Sequence, residues 1–526
     1  MAEVSTKEPP AQPAIVFIGF MAAGKSEAAR AAAGRLGEDV RDADELLEAE
    51  LGMPIAEFFE REGEEEFRRR EEELVLGLLE GGGVIALGGG AVMSEPVRDA
   101  LGGQVTVWCQ VEEDVAWNRA QTQGGRPLAS IRGEFAQRFA ERQPIYADLA
   151  RAVLPEGGTV AGAATAPWLD AMRSEPAVRM IWARAASGAY PAAVGEGAAR
   201  MLAAAEPDRR LFVIADAAVL AEHEGLLPPA DAVLEIEASE ERKTLGEAER
   251  LLRELAAAGA RRDDLIVALG GGVTGDLAGF VAATYQRGVP VVQIPTTVVA
   301  QVDSAYGGKT GVDLPEAKNY VGAYHQPLAV LADPSVLATL PAEEVAAGFA
   351  EVLKTALIAG GDLWESVREI DFAALVAGGG DELGDLVFAC ARAKIDVVGS
   401  DERDAGRRAV LNLGHTVGHA IEAATGYGRY RHGEAVGLGL LAALRLSGAG
   451  DLRDEVAELL ATNGLPTSLD GGVGVDEVLD ATALDKKHTS AGLGFVLLER
   501  PGEPRWGQEV EPSNVRDAVD ELYEDA

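Results

Sequence analysis

The chain has 526 residues, enough for two or more domains, and 47% of them are hydrophobic, which is ample for packed cores. Acidic residues outnumber basic ones by 86 to 47, giving a formal net charge of -39. This balance argues against nucleic acid or an anionic membrane as a partner. The two cysteines, Cys109 and Cys390, lie in apolar runs, so we expect buried thiols and no disulfide framework.

The first residues carry no basic region followed by an apolar core, so they do not resemble a secretory signal. No run of about 18 apolar residues suggests a membrane span. We therefore expect a cytoplasmic protein that begins with a disordered tail at residues 1–12.

The first predicted domain covers residues 13–160. A buried strand at 14–20 opens it, and alternating helical and strand-like segments follow, as in a parallel sheet. The next stretch is rich in Gly, Ala and Thr without a sheet pattern. We place a linker at 161–187, with a short helix near 166–172.

A second α/β series starts near residue 210, and long Ala/Leu/Glu helices replace it after Pro341. The pattern predicts a Rossmann-like α/β part at 188–340 and a mostly helical, metal-binding part at 341–526. The predicted fold class is therefore α/β, with a phosphate-loop domain and its parallel sheet first, then a Rossmann-like domain, then the mostly helical part. Strands of the second series are predicted at 211–216, 264–272 and 289–295.

The first glycine-rich loop fits the pattern G-x-x-x-x-G-K-[ST] at residues 19–26. It follows an apolar strand and opens an Ala-rich helix, which is the context that this motif requires. Backbone amides there cradle phosphates, Lys25 reaches the β and γ phosphates, and Ser26 holds Mg²⁺. The motif predicts ATP and Mg²⁺ as ligands of Gly19, Ala22, Ala23, Gly24, Lys25 and Ser26.

Charged and glycine-rich motifs follow this loop in a definite order. They are Asp42-Ala43-Asp44, Glu66-Phe67-Arg68, Gly88-Gly89-Gly90, Arg126-Pro127-Leu128 and Arg142. Taken singly, the two aspartates are as typical of a helix cap, and Arg68 is more typical of a solvated helix face. Together, over about residues 13–155, the set resembles shikimate kinase. Another small-metabolite kinase, such as a gluconate kinase, is the alternative.

The resemblance implies ATP-dependent phosphorylation of shikimate, a carboxylate with three hydroxyls. Arg68 and Arg142 suit bidentate binding of the carboxylate. Asp44 would accept from the ring hydroxyls and position the attacking one. The glycines Gly88, Gly89 and Gly90 would let the backbone approach the substrate closely.

The same resemblance assigns three further side chains. Asp42 would orient Mg²⁺ through water, Arg126 would be the lid arginine on the transferring phosphate, and Arg119 would face the adenine. Ala22 stands where a second glycine is frequent in the family. Because side-chain demands at that loop position are weak, we expect little effect from it.

Three histidines of the second half cluster in sequence. His415, His419 and His432 fall within eighteen residues, although the chain has only 6 histidines. His415 and His419 are four apart, on one face of a predicted helix. With Glu351 they form a carboxylate-plus-imidazole set that suits a catalytic Zn²⁺ with an open position.

The second glycine-rich loop, residues 270–276, lies between a strand and an apolar helix, which is a nucleotide-binding context. With the motifs at 294–313 and 318–327, the second half resembles 3-dehydroquinate synthase over about residues 188–500. The resemblance implies NAD⁺, Zn²⁺ or Co²⁺, and the phosphorylated seven-carbon keto acid DAHP as substrate. It also implies elimination of phosphate with no net consumption of NAD⁺.

Residue roles in the second half come from this resemblance. It implies Glu351, His415 and His432 as metal ligands and His419 as a non-ligand near the substrate. Toward NAD it assigns Asp216, Glu240, Lys243, Gly271, Gly272, Asp276, Thr296, Thr297 and Thr339. Toward the substrate or the reaction it assigns Asp303, Lys309, Asn319, Lys354, Lys394, Arg408, Asn412 and one of Lys486 and Lys487. The resemblance also assigns Arg287 as a substrate-side cation that would reach a neighbouring subunit. A homodimer formed through the second half is compatible with this role.

Lysine usage supports these motifs. The chain has nine lysines among its 47 basic residues, and all except Lys7 lie in the motifs described above. A compact ammonium approaches phosphate and donates a proton in ways that a guanidinium does not. Lys318 belongs to this group without an assigned role.

Other classes of function remain for the second half. Another sugar-phosphate cyclase or a metal-dependent polyol dehydrogenase would use the same NAD and metal. A dehydrogenase would accumulate NADH, whereas the synthase would release phosphate without net NADH. A pseudoenzyme scaffold is a third class, and the intact Lys25, Ser26, Glu351, His415 and His432 argue against it.

Overall fold

The computed structural model describes residues 12–123, 131–155, 158–226, 229–485 and 494–524. The chain forms two compact units. The first contains the residues up to Trp182 together with Arg200–Asp208, and the second contains Ala183–Ala199 and the chain from Arg209 onward. Within the described ranges, none of the helices has the length and apolar character needed to cross a membrane.

A parallel sheet with helices packed around it forms the first unit. Its strands follow the order β2-β3-β1-β4-β5-β6, and β6 belongs to this unit up to Trp182. The strands are β1 (Ile15–Ile18), β2 (Val40–Asp42), β3 (Val84–Ala86), β4 (Val105–Cys109), β5 (Ala152–Leu154) and β6 (Arg179–Ala185). The helices are α1 (Lys25–Leu36), α2 (Ala43–Leu51), α3 (Ile55–Glu62), α4 (Glu64–Glu80), α5 (Glu95–Leu101), α6 (Glu113–Gln123), α7 (Arg132–Leu149), α8 (Gly158–Ala171) and α9 (Met201–Ala205).

The central strand β1 is buried along its whole length, which explains its continuous apolar run. Ile15 pairs in register with Val84 of β3 and with Val105 of β4. Because β1, β2 and β3 are parallel, the loops that follow them meet at one edge of the sheet. The phosphate loop, the aspartates at the end of β2 and the glycines after β3 are therefore neighbours.

The stretch predicted as a linker, 161–187, contains regular structure instead. Helix α8 packs closely on α1, and a Cβ on Gly162 would lie 2.8 Å from the Cα of Ala28. Strand β6 continues the sheet, with Met180 paired to Ala152. The small residues that suggested a linker are what close contact between two helices requires, and most of this stretch is therefore part of the first unit.

The second unit begins with a parallel sheet of order β7-β14-β11-β10-β8-β9. The predicted strands at 211–216, 264–272 and 289–295 correspond to β8, β10 and β11. The strands are β7 (Gly188–Val194), β8 (Leu211–Asp216), β9 (Ala232–Ile236), β10 (Leu265–Gly270), β11 (Val291–Pro295), β12 (Lys309–Leu314), β13 (Ala317–Tyr324), β14 (Ala329–Ala332), β15 (Phe495–Leu498) and β16 (Pro504–Gln508). Strands β12 and β13 form an antiparallel hairpin, as do β15 and β16.

Helices dominate the second unit after residue 341, which confirms the predicted fold class. Helix α18 packs against both α13 and α17 through buried apolar faces. This places Glu351 in the middle of α13 and puts His415 and His432 at the first positions of α17 and α18. The helices are α10 (Ala217–His223), α11 (Leu245–Ala257), α12 (Gly272–Thr284), α13 (Ala342–Ala359), α14 (Gly361–Val367), α15 (Phe372–Gly378), α16 (Asp381–Ser400), α17 (His415–Ala424), α18 (His432–Leu446), α19 (Gly450–Thr462), α20 (Val475–Asp485) and α21 (Pro512–Glu524).

Candidate functional sites

The phosphate loop of the first unit connects β1 directly to α1. Gly24, just before α1, has φ 85°, and Gly19 has φ 141° with no room for a side chain, since a Cβ there would lie 2.6 Å from the carbonyl oxygen of Cys109. The Lys25 Nζ donates to the Phe20 carbonyl oxygen at 3.0 Å and so folds back over the loop. The loop therefore has the backbone shape that presents amides to an anion at the start of a helix.

Ala22 also has a left-handed backbone, with φ 61°. This conformation is unfavourable for a residue with a Cβ. The sequence analysis expected little effect from an alanine here, but the backbone conformation at this position is one that glycine adopts more easily.

Substitutions at these two loop positions should have opposite effects on stability. We expect Ala22→Gly to raise the free energy of unfolding of the first unit by up to about 1 kcal/mol, because relief of the left-handed strain exceeds the entropy that glycine gains on unfolding. Gly19→Ala should lower it by about 1–3 kcal/mol through steric overlap and strain. Calorimetric unfolding of the full-length variants measures both effects, and a lower unfolding temperature for Ala22→Gly would contradict the strain argument.

A cavity of about 920 Å³ opens beside the phosphate loop. The predicted residues Ala22, Ala23, Gly24, Lys25, Ser26, Asp42, Asp44, Arg68, Gly88, Gly89, Gly90, Arg119 and Arg142 all line it. Arg126 lies outside the described residues. The cavity thus brings the nucleotide motif and the predicted acceptor motifs to one place.

Arg68 and Asp44 meet at a carboxylate that the sequence analysis did not select, Glu71. The Arg68 Nη1 donates to Glu71 Oε2 at 2.6 Å. A Cβ on Gly88 would lie 2.6 Å from Glu71 Oε1 and 2.8 Å from Asp44 Oδ1, so a larger residue there would displace both carboxylates. Burial raises the pKa of Glu71, although Arg68 opposes this. Its spacing of three residues from Arg68 on a helix was the signal available in the sequence.

Arg142 is buried on the opposite wall, on α7. Its Nη1 donates to the Gly89 carbonyl oxygen at 2.9 Å, and the Tyr146 hydroxyl donates to the same oxygen at 2.6 Å. The guanidinium lies 5.8 Å from the centre of the Phe20 ring. These contacts fix a cation at the cavity wall, and they tie the glycine loop after β3 to α7.

Asp42 caps α2, since its Oδ1 accepts from the Asp44 backbone amide at 3.1 Å. This is the structural role weighed above, and it leaves Asp42 buried at the cavity wall, 3.7 Å from Arg30. Arg119 Nη1 donates to the Ala22 carbonyl oxygen at 3.4 Å, which places this side chain against the phosphate loop.

In the second unit, Glu351, His415 and His432 form a compact donor set. Their ligand atoms lie within 4.8 Å of one another. Glu351 Oε1 is 3.2 Å from His432 Nε2 and 3.5 Å from His415 Nε2. One carboxylate and two imidazoles converging in this way fit a divalent cation such as Zn²⁺ or Co²⁺.

Two of the three groups have the protonation state that suits a cation. Burial lowers the pKa of His415 well below its usual value, with help from the nearby Lys354 ammonium. Burial alone would raise the pKa of Glu351, but Lys354 and the histidines hold it well below its usual value. Glu351 and His415 are therefore in the forms that bind metal. Burial would lower the pKa of His432, but Glu351 and Glu422 raise it to about 10, so a metal must displace a proton from this third imidazole.

Two buried lysines share one carboxylate next to this donor set of Glu351, His415 and His432. Lys354 Nζ is 2.9 Å from Asp303 Oδ2 and also contacts Glu351, while Lys394 Nζ is 2.6 Å from Asp303 Oδ1. Burial would lower the pKa of Lys354, but Asp303 and Glu351 raise it. Burial lowers the pKa of Lys394 to about 8, against the attraction of Asp303. The two ammonium groups therefore differ in how readily they release a proton.

The loop between β10 and α12 has the features of a nucleotide cradle. A Cβ on Gly271 would lie 2.8 Å from the Thr297 methyl group, and one on Gly272 would lie 3.1 Å from Ser304 Oγ. The Thr296 hydroxyl is buried and has no hydrogen-bond partner among the described residues. Backbone without side chains and a buried polar atom to be satisfied both fit a dinucleotide at this edge of the sheet.

The Lys243 ammonium contacts residues predicted to bind NAD and a residue predicted to bind the substrate. Its Nζ is 2.8 Å from Asn319 Oδ1, 3.3 Å from Asp276 Oδ2 and 3.4 Å from Glu240 Oε1. Burial raises the pKa of Asp276 to about 6, although Lys243 opposes this. The predicted NAD residues Glu240, Lys243 and Asp276 are thus contiguous, and Asn319, predicted for the substrate, adjoins them.

The remaining predicted residues are more dispersed. Asp216 caps α10, and Thr339 Oγ1 lies 2.9 Å from His223 Nε2. Lys309 pairs with Asp404, while the buried Arg408 donates to the carbonyl oxygen of Gly307 at 3.3 Å. Asn412 is half-buried just before α17, the His419 ring centre is 5.2 Å from that of His415, and Arg287 is exposed. Lys486 and Lys487 lie outside the part of the chain that the structure describes.

The two sites define the class of protein: a phosphate-loop kinase domain joined to a metal- and dinucleotide-binding α/β enzyme. Family models agree with this division. One described as shikimate kinase matches residues 21–173. Two described as 3-dehydroquinate synthase N-terminal and C-terminal match residues 233–347 and 348–488.

Curated relatives match the second unit over nearly their whole length. The 3-dehydroquinate synthase of Nitrobacter winogradskyi is 41% identical over 363 residues, which are 64% of this chain and 94% of that protein. The one from Symbiobacterium thermophilum is 43% identical over 293 residues, 55% of this chain and 81% of that protein. The chain belongs to the 3-dehydroquinate synthase family and carries a shikimate kinase domain in front of it.

Solved structures of two other synthases share the fold of the second unit. A 2-epi-5-epi-valiolone synthase from Streptomyces hygroscopicus, with NAD⁺ and Zn²⁺ bound, is 27% identical with a TM-score of 0.58, covering 64% of this chain and 97% of its own. A 2-deoxy-scyllo-inosose synthase complexed with carbaglucose-6-phosphate, NAD⁺ and Co²⁺ is 28% identical with a TM-score of 0.57, covering 65% and 99%. The higher identity of the 3-dehydroquinate synthases favours that activity over the other cyclases.

Proposed function

We propose that the first unit phosphorylates shikimate with ATP and Mg²⁺, and that the second converts DAHP to 3-dehydroquinate and phosphate with NAD⁺ and Zn²⁺ or Co²⁺. The observation that carries the first assignment is the single cavity that joins the phosphate loop to Asp44, Arg68 and Arg142. The second rests on the converging Glu351, His415 and His432 beside buried lysines.

In the kinase unit, the chain's own residues bind and orient both substrates. Lys25 and the loop amides hold the phosphates, and Ser26 and Asp42 hold Mg²⁺, which neutralises phosphate charge when bound. Arg68 and Arg142 bind the shikimate carboxylate, with Glu71 fixing the Arg68 guanidinium. Asp44 accepts the proton of the attacking hydroxyl at its carboxylate.

In the synthase unit, NAD⁺ supplies a reversible hydride acceptor and the metal a Lewis acid when bound. Glu351, His415 and His432 hold the metal, and the glycine loop with Thr296 and Thr297 holds the dinucleotide. Lys354, Lys394 and Arg408 hold the substrate's carboxylate and phosphate, and Asp303 pairs with both lysines and so holds their ammonium groups beside one another. Lys394 is the better proton donor of the two lysines because its pKa is closer to neutrality.

An assay with DAHP, NAD⁺ and Zn²⁺ or Co²⁺ tests the second assignment against its alternatives. We expect phosphate release in proportion to DAHP consumed, without accumulation of NADH. Accumulation of NADH in proportion to product would indicate a net dehydrogenase. Phosphorylation of gluconate in preference to shikimate would contradict the first assignment.

The proton on Lys394 predicts a pH limit for the synthase. Below pH 8 the ammonium is charged and binds the anionic substrate, and above it the charge is lost. We therefore expect kcat/KM for DAHP to fall by roughly tenfold per pH unit above about 8. In Lys394→Arg this fall in kcat/KM should begin at a higher pH, because a guanidinium keeps its charge. If the fall began at the same pH in that variant, the titrating proton would belong to another group.

A further inference from the structure

Glu422 is a buried carboxylate that none of the roles above uses. It lies on α17 with its side chain 6% exposed, and its two oxygens face different partners. Oε2 is 3.4 Å from His432 Nδ1, and Oε1 is 3.7 Å from Lys318 Nζ. A buried carboxylate is costly unless both oxygens are paired, so these contacts explain how it is accommodated.

The His432 ring is held from two sides. Its Nε2 faces Glu351 Oε1 at 3.2 Å, in the metal-ligating set, and its Nδ1 faces Glu422. An ionised carboxylate only accepts hydrogen bonds, so Nδ1 donates to Glu422. A metal bound at Nε2 would replace the proton that this nitrogen directs at Glu351, while Nδ1 keeps its hydrogen bond to Glu422. Metal-ligating histidines are commonly oriented by a carboxylate or a carbonyl in this way.

His415 provides a comparison within the same site. Its Nδ1 faces the Leu413 carbonyl oxygen at 3.3 Å, a neutral backbone acceptor on its own segment. His432 has instead a charged acceptor from another helix. A carboxylate polarises the imidazole more strongly than a carbonyl does, so His432 depends on a residue that the ligand set itself does not contain.

Lys318 supplies the other half of this arrangement. It lies on β13 of the α/β part, and its Nζ is 4.5 Å from the centre of the Tyr427 ring. Together these contacts hold the ammonium beside Glu422 Oε1. Glu422 therefore connects a strand of the dinucleotide-binding part to the metal-ligating helices.

We propose that Glu422 is a positioning residue, held by Lys318, that directs Nε2 of His432 toward the metal. The inference rests on the proposed metal site of Glu351, His415 and His432. The set of His419, Glu422 and His432, whose ligand atoms also lie within 4.8 Å of one another, is the competing arrangement. It would require His432 to turn its Nδ1 into a ligand and Glu422 to bind metal directly.

Metal affinity of the full-length chain tests the proposal without an activity assay. Apoprotein is titrated with Zn²⁺ and with Co²⁺ against a competing chelator. We expect Glu422→Ala to weaken both affinities by about 10- to 100-fold, with an altered visible spectrum of bound Co²⁺. Glu422→Gln, which keeps an acceptor oxygen, should fall between Glu422→Ala and the wild type and guards against a folding defect.

Glu434→Ala is the matched control. Glu434 lies two residues from His432, but its carboxylate accepts from the Arg431 backbone amide and so caps α18. It should lower stability and leave metal affinity unchanged. Equal weakening in Glu434→Ala and Glu422→Ala would mean that Glu422 is merely structural, and wild-type affinity in Glu422→Ala would overturn the proposal directly.

Two further measurements distinguish failure of the proposed role of Glu422 from failure of the metal site on which it rests. His415→Ala should lose metal binding; if it does not, the proposed ligand set fails and the inference fails with it. If His415→Ala loses the metal and Glu422→Ala keeps it, only the inference fails. Lys318→Met should weaken affinity severalfold in the wild-type background and not at all in Glu422→Ala, and additive effects would contradict the link through Glu422.

Discussion

The His415→Ala variant should release phosphate from DAHP at least about 1000-fold more slowly than the wild type, a loss of roughly 4 kcal/mol in transition-state stabilisation. His415 Nε2 lies 3.5 Å from Glu351 Oε1, so its removal leaves an incomplete ligand set. The buried Glu351 would then keep its charge without the metal that balances it. Phosphate release and bound metal, measured on one preparation, should fall together.

The shikimate kinase unit is the internal control for that variant. Those of its predicted site residues that the structure describes lie in the first compact unit, whereas His415 lies in the second. ATP-dependent phosphorylation of shikimate should therefore proceed at the wild-type rate. Loss of both activities in a folded chain would contradict the assignment of one activity to each unit, and full phosphate release after loss of the metal would contradict the role of the ligand set.

Local motifs predicted the parts of each site that depend on chain order. The phosphate loop, the segment from Asp42 to Asp44 and the glycines after β3 lie together because each is at the carboxyl end of a strand of the same parallel sheet. Parallel strands bring their carboxyl ends to one edge, so motif order was enough to predict that these residues converge. Gly271 and Thr296 are near each other for the same reason, because they directly follow the adjacent parallel strands β10 and β11.

Sequence patterns did not predict ion pairs between charged side chains that are far apart in the chain. Asp303 is 51 residues from Lys354 and 91 residues from Lys394, and only the packing of three segments shows that one carboxylate serves both. Glu422 was passed over for the same reason, since its partners lie on another strand and another helix. Glu71 was not selected because it lies in a run rich in Glu and Arg, and such a composition is typical of a solvent-exposed helix face.

The error at residues 161–187 has a different cause. Small residues occur both in linkers and where two helices touch, and composition does not separate the two. Gly162 against Ala28 is the second case, because a Cβ there would overlap the backbone of α1. A helical period with small residues on one face was the signal that distinguishes packing from a linker.

The Lys25→Ala variant should show the reverse of His415→Ala. We expect a loss of about 100- to 1000-fold in shikimate phosphorylation, since one preorganised cation at the transferring phosphate is removed. Phosphate release from DAHP should be unchanged. Lys25→Arg should not restore activity, because a planar guanidinium does not fit where the Lys25 ammonium folds back to the Phe20 carbonyl oxygen at 3.0 Å.

Binding measurements on Lys25→Ala separate a chemical role from a structural one. Shikimate affinity should stay at the wild-type value, because Arg68 and Arg142 are anchored by Glu71 and by the Gly89 carbonyl oxygen rather than by Lys25. If shikimate binding were lost together with turnover, Lys25 would act by shaping the cavity, and its assignment to the ATP phosphates would fail. Retained shikimate binding with lost turnover is the outcome that a phosphate-binding cation requires.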